Sequence, residues 1–164
     1  MSNVNPLGSS IKSILAKKGW VDIPASGVSM FPLIKEGDIC RFVPLSAELD
    51  LKKGDVYLFQ TEDGQLIGHR YYHSFLKNQI LFHAFKGDSN VQFDPPLSPE
   101  QLIGKLISIK KKRSVLKTGG RVTRIWTRFI LSFPTVPVYC KKGFYYWRRL
   151  KEIASRKGQS NGSH

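Results

Sequence analysis

The sequence predicts a mainly β domain of about six strands, with a short helix ahead of it and a basic helical extension behind. Three observations carry this reading. After Gly19 the chain falls into short runs rich in Val, Ile, Leu, Tyr and Phe, most of them separated by Gly or Asp turns. Gly-Asp pairs recur at Gly37-Asp38, Gly54-Asp55 and Gly87-Asp88; glycine supplies the positive φ of a turn, and aspartate can bond the backbone beyond it. The charge is split: residues 1–109 carry eleven Lys/Arg and eleven Asp/Glu, whereas residues 110–164 carry fifteen Lys/Arg and one acid, Glu152. The last third therefore holds the whole net charge of +14, the mark of a neutral body with a basic appendage for a different partner.

Residues 9–18, SSIKSILAKK, read as a helix capped by Ser9 or Ser10, with Ile11, Ile14 and Leu15 on one face. Residues 1–24 thus form a helix and lead-in. The runs WVDIPA, DICRFVP, DVYLFQ, QLIGHRYYH, QILFHAF and QLIGKLISIK follow as strands, and the β domain spans residues 25–110. In RVTRIWTRFILS, Val122, Ile125, Trp126, Phe129 and Ile130 recur at helical spacing, with Arg121, Arg124 and Arg128 on other faces. Pro134 and Pro137 break that pattern. It resumes in FYYWRRLKEIASRK, with Tyr146, Trp147, Leu150 and Ile153 on one side. Residues 111–157 read as a basic amphipathic extension and 158–164, GQSNGSH, as a disordered tail.

Composition narrows the function. The 41% hydrophobic content suffices for a core, so wholesale disorder is excluded. Cys40 and Cys140 have no partners at metal spacing and make no disulfide framework, so a reducing compartment is expected, and no cofactor or metal is called for. The first twenty residues contain no apolar run of signal-peptide length. No stretch reaches the roughly 18 apolar residues of a spanning helix. The expected location is cytoplasmic or peripheral to a membrane.

The stretch ASGVSMFPLIKEGD, residues 25–38, is shaped around a serine. A nucleophilic serine needs exposure, a base within hydrogen-bond reach and donors for the developing oxyanion. Gly27 can bend the chain and Pro32 stiffens its exit, which can hold the Ser29 hydroxyl out; taken alone, the fragment reads first as a turn serine, as most serines in glycine-containing loops are. The available bases are His69, His73 and His83. Strand alternation puts His69, Tyr71 and His73 on one face and Arg70 and Tyr72 on the other. An imidazole accepts a serine proton at neutral pH without special tuning, so activity would rise through about pH 6 to 7. The acid of a triad would come from FKGDSNVQFDPP, as Asp88 or Asp94, and spacing does not choose between them.

In chain order the motifs are Ser29-Met30-Phe31-Pro32, Gly37-Asp38, Gly54-Asp55-Val56, His69-Arg70, Lys86-Gly87-Asp88-Ser89-Asn90, Asp94 and Ile103-Gly104-Lys105. Their order and spacing resemble the signal peptidase family of serine endopeptidases, in its Ser-His branch, over roughly residues 25–110. The resemblance implies an all-β fold shared with self-cleaving repressor domains. It makes Ser29 the nucleophile and His69 the general base, where the bacterial housekeeping branch has a lysine. It favours Asp94 as the triad acid, with Asp88 supporting the site from behind. It makes the Ser29 backbone N–H an oxyanion donor. The side-chain donor that some members carry two residues before the nucleophile is replaced here by Gly27, with Ser26 one step further back. The implied substrate is an extended precursor polypeptide with small residues before the cut.

The chain departs from that family in having only about 25 polar residues, and no spanning helix, before the serine. Residues 121–157 are expected to supply attachment instead, with aromatic and aliphatic faces in the headgroup region and cations on anionic lipid; the alternative is that the apolar stripe packs on the β body and the cations form a solvated face. A nucleic-acid partner is disfavoured, since no nucleic-acid motif is present. A repressor-type domain would need a DNA-binding module, which 24 residues cannot hold. The rival reading from another class is a catalytically inactive β module that binds a peptide at a membrane surface.

Overall fold

The computed structural model describes residues 6–136 together with Val138, Tyr139, Gly143, Tyr146 and Arg149. The second helical stretch is therefore mostly outside the described residues, as are Cys140 and the tail expected to be disordered.

The first helix, α1 (Pro6–Lys18), begins three residues before Ser9, so Ser9 and Ser10 lie inside it and do not cap it. Pro6 suits the opening position, where its missing N–H costs nothing. Ile11 and Leu15, four residues apart, are buried, whereas Ile14 is 44% exposed and leaves the predicted face. The helix closes on Gly19, at φ +80, whose N–H donates to the Leu15 carbonyl.

The body is one antiparallel sheet of seven strands: β1 (Val21–Pro24), β2 (Ile39–Pro44), β3 (Val56–Gln60), β4 (Leu66–Lys77), β5 (Ile80–Lys86), β6 (Leu102–Lys110) and β7 (Val115–Lys117). The order is β1-β2-β6-β3-β4-β5, with β7 pairing β6. All six predicted runs are strands. The seventh falls in the segment read as extension; its three residues are too few to show a period, and pairing with Ser108, Ile109 and Lys110 makes it a strand.

Strand β3 is buried on both faces, and its alternation divides the interior. Val56 and Leu58 join Ile11, Leu15, Met30, Leu106 and Ile109 in an aliphatic core. Tyr57 and Phe59 join Tyr71, Phe85, Leu97 and Leu102 in an aromatic one.

The alternation expected along β4 holds only as far as Tyr71. The ladder to β5 pairs Tyr71 with Phe85 and His73 with Ala84, so Tyr72 is an extra, bulged residue. Beyond the bulge, Ser74 reaches the Tyr71 face, its Oγ 2.7 Å from the Tyr71 hydroxyl. His73 is exposed.

The second helix, α2 (Arg121–Ser132), forms where its period predicts. Its apolar residues do not share one fate. Ile130 is fully buried with Thr123, and Trp126 packs against the aliphatic core, but Val122 and Ile125 are 59% and 70% exposed.

Candidate active site

The Ser29 loop follows β1. Met30, Leu33 and Ile34 are buried in the aliphatic core, and these three anchors leave Ser29 half-buried at the surface of the loop. Helical turns tighten it: the Phe31 N–H donates to the Val28 carbonyl and the Ile34 N–H to that of Met30. The Phe31–Pro32 peptide is cis. Asp38 closes the far end, accepting from the Lys35 N–H at 2.8 Å and from Lys111 Nζ at 2.6 Å. Gly27 and Gly37 have φ near +80, the left-handed conformation that glycine tolerates.

Three sequence-distant side chains meet at this loop. The Ser29 Oγ lies 2.8 Å from His69 Nε2, and His69 Nδ1 lies 2.7 Å from Asp94 Oδ2. His69 sits on β4 one residue before the ladder with β5 begins at Arg70↔Lys86. Asp94 is placed by its own N–H, which donates to the Phe85 carbonyl at 2.9 Å. Three residues on, Leu97 exchanges backbone hydrogen bonds with His83. The imidazole is almost enclosed, with Phe59 edge-on at 6.1 Å between ring centres. Of the acids left open by spacing, Asp94 therefore reaches the imidazole.

Asp88 is elsewhere. It is 1% exposed and accepts two hydrogen bonds from the Arg70 guanidinium, both at 2.7 Å, and a third from the Trp126 indole N–H at 2.9 Å. Arg70 follows His69 directly, so alternation sends the two side chains to opposite faces. His73 and His83, the other described histidines, are also apart from Ser29. His83 is buried with Nδ1 2.8 Å from Ser74 Oγ, and burial holds its imidazole below its ordinary value. The His73 ring lies near Phe75 and Phe93.

The strand reading missed how the loop is held. The Ser89 N–H donates to the Ser29 carbonyl at 2.8 Å, and its hydroxyl donates to the Val28 carbonyl at 2.6 Å. Gly87 opens the expected turn, its carbonyl accepting from the Asn90 N–H at 3.0 Å, but unlike Gly37 and Gly54 its φ is not positive; a Cβ there would stand 2.9 Å from the Ser29 carbonyl oxygen. The glycine is required by close approach. The only sequence signal for these roles was the Lys-Gly-Asp-Ser-Asn run itself.

Ser29 and His69 open on a cleft of about 510 Å³. Its walls include Ile23 to Gly27 on one side and Gln65 to Gly68 on the other, with Cys40, Phe42 and Leu58 in the floor. Both walls carry strand edges. β1 ends the sheet order, and residues 66–69 of β4 pair with β3 but precede the β5 ladder. Burial pushes the Cys40 thiol up to about 12, so the cysteine lining the cleft stays protonated near neutral pH.

Compared with known proteins, the chain matches no family model and no curated protein.

Proposed function

We propose that this chain is a serine endopeptidase of the signal-peptidase type, which cuts a signal or leader peptide from a precursor polypeptide. The observation that carries the reading is the relay from Ser29 Oγ through the His69 ring to the Asp94 carboxylate, set in the wall of a cleft. With Nδ1–H donated to Asp94, the lone pair of Nε2 faces the serine hydroxyl. His69 takes the proton as Oγ attacks a peptide carbonyl, then gives it to the departing amine. The acyl-enzyme is released by a water that His69 deprotonates in turn. The Ser29 backbone N–H serves the oxyanion. An extended substrate would lie between the β1 and β4 edges and borrow their main-chain groups, as in β-strand addition. The apolar floor admits small apolar side chains. An inactive peptide-binding module would have no use for the relay.

The second proposed partner is an anionic membrane surface, met by the outer side of α2. Val122, Ile125, Phe129 and Phe133 fall on one stripe, and Arg121, Arg124 and Arg128 on the next, offset by one residue. An interfacial helix has this pattern, and each well-placed cation adds about 1 kcal/mol near anionic lipid. Among the described residues no helix is long and apolar enough to cross a membrane. Wild type is expected to float with phosphatidylserine vesicles, and Val122→Glu/Ile125→Glu to remain in the soluble fraction.

The deciding experiment for the peptidase is Ser29→Ala. Labelling by a fluorophosphonate should vanish, and turnover of a precursor peptide should fall by about 10⁴- to 10⁶-fold. Undiminished cleavage by the variant would end the reading.

A further inference from the structure

We infer that Trp126, on α2, is a positioning residue for Ser29. The kinetic side of this inference rests on the endopeptidase reading; its geometric side does not.

The chain of contacts is short. The Trp126 indole donates to Asp88 Oδ2 at 2.9 Å. The same carboxylate takes both Arg70 donors, and Arg70 also donates to the Thr127 hydroxyl at 3.0 Å and to the Gly54 carbonyl. Adjacent residues of α2 thus grip both members of the buried pair. Gly54 allows the approach, because a Cβ there would stand 2.5 Å from the Thr127 methyl. At the helix exit Lys86 Nζ reaches the Pro134 carbonyl at 3.5 Å.

From Asp88 the path to the nucleophile is one residue long. Ser89 holds the Ser29 and Val28 carbonyls, and Gly87 lies against the Ser29 carbonyl on the other side. The Asp88 N–H faces Met30 Sδ at 3.5 Å, on the residue after the nucleophile. Residues 87–89 therefore form a splint along the Ser29 peptide, and its central side chain is fixed from the rear by α2. Without the indole, Asp88 keeps only its two Arg70 donors, and an under-satisfied buried carboxylate carries a free-energy cost that a shift of its segment relieves. A displacement near 1 Å at a reacting group costs about 10²-fold in rate. The indole N–H, 97 residues beyond the serine, thereby acts on where the Ser29 hydroxyl stands.

Trp126→Phe removes the donor and keeps most of the ring. Ile130→Val trims a buried residue of the same helix without touching these hydrogen bonds. Four quantities are read in the full chain: kcat and KM on a precursor peptide, melting temperature, and hydrogen exchange at the Ser89 amide. Trp126→Phe should lower kcat about tenfold with KM within twofold, and should speed Ser89 exchange while β6 stays protected. Ile130→Val should lower the melting temperature and leave kcat and Ser89 exchange as in wild type. Unchanged kcat and unchanged Ser89 exchange in Trp126→Phe overturn the inference. So do kcat losses in both variants that track their melting temperatures, since that is a purely structural role. If wild type proves inactive, Ser89 exchange alone decides: faster exchange in Trp126→Phe keeps the splint and discards the peptidase, and unchanged exchange discards the splint as well.

Discussion

His69 and Arg70 are neighbours in the chain, and each meets an aspartate, but the two pairs live in different surroundings. His69 and Asp94 are 6% and 13% exposed along their side chains and stand beside a cleft. Arg70 and Asp88 are 2% and 0% exposed, closed over by α2. The first pair ends on a hydroxyl that faces the cleft; the second ends on a carbonyl and a helix. One strand thus sorts two Asp partnerships by parity alone, turning one toward the cleft and the other toward α2. The difference teaches that an aspartate's surroundings set its part: beside the cleft Asp94 orients an imidazole whose other nitrogen meets a hydroxyl, and in the closed interior Asp88 holds geometry.

That contrast breaks most sharply with one substitution on each side. Asp94→Asn keeps the shape of the front pair but presents an amide to Nδ1, which selects the wrong tautomer; turnover should fall about 10⁴-fold with little change in melting. Arg70→Met strands a carboxylate in the interior and should cost about 3–5 kcal/mol of stability. Thermal melting and turnover measured on both variants check the division. Loss of folding in Asp94→Asn, or a fully stable Arg70→Met, would show that the two faces are not separated as described.

The same parity explains what could be read without coordinates. The six longer strands are legible because VYLFQ, QILFHAF and their neighbours are apolar runs bounded by turn residues, and burial rewards that pattern. Strand β7 is not legible, because three residues, VLK, have no period and take their state from β6. Ser29 and His69 were both named from the sequence. The choice between Asp88 and Asp94 stayed open on spacing, because it depends on which side of the sheet each loop residue reaches. Trp126 was counted as apolar on a helical stripe. Its donor matters only because α2 lands on Asp88, 38 positions upstream, and no local pattern encodes that landing. The helical period itself also misled: Val122 and Ile125 share spacing with Trp126 and Ile130 but face outward.

The comparison sharpens again, with a smaller effect, between two imidazoles. His69 has a carboxylate on one nitrogen and a hydroxyl on the other. Among the described residues His83 meets the Ser74 hydroxyl through Nδ1, and its Nε2 is buried without a hydrogen-bond partner. Nothing beside it welcomes a second proton except the field of Glu100, which opposes burial only in part, and burial sets the net direction downward. A lowered folded value means that, below about pH 6.5, the unfolded chain binds a proton that the folded chain refuses. Stability is therefore intact above that pH and is lost as pH falls beneath it. His83→Asn offers Ser74 a neutral amide and removes the titration. Wild type should lose more melting temperature between pH 7.5 and pH 5.5 than His83→Asn does. Equal losses would mean that the buried ring takes up its proton as readily as an exposed one, and that an imidazole in this sheet needs no carboxylate to carry charge.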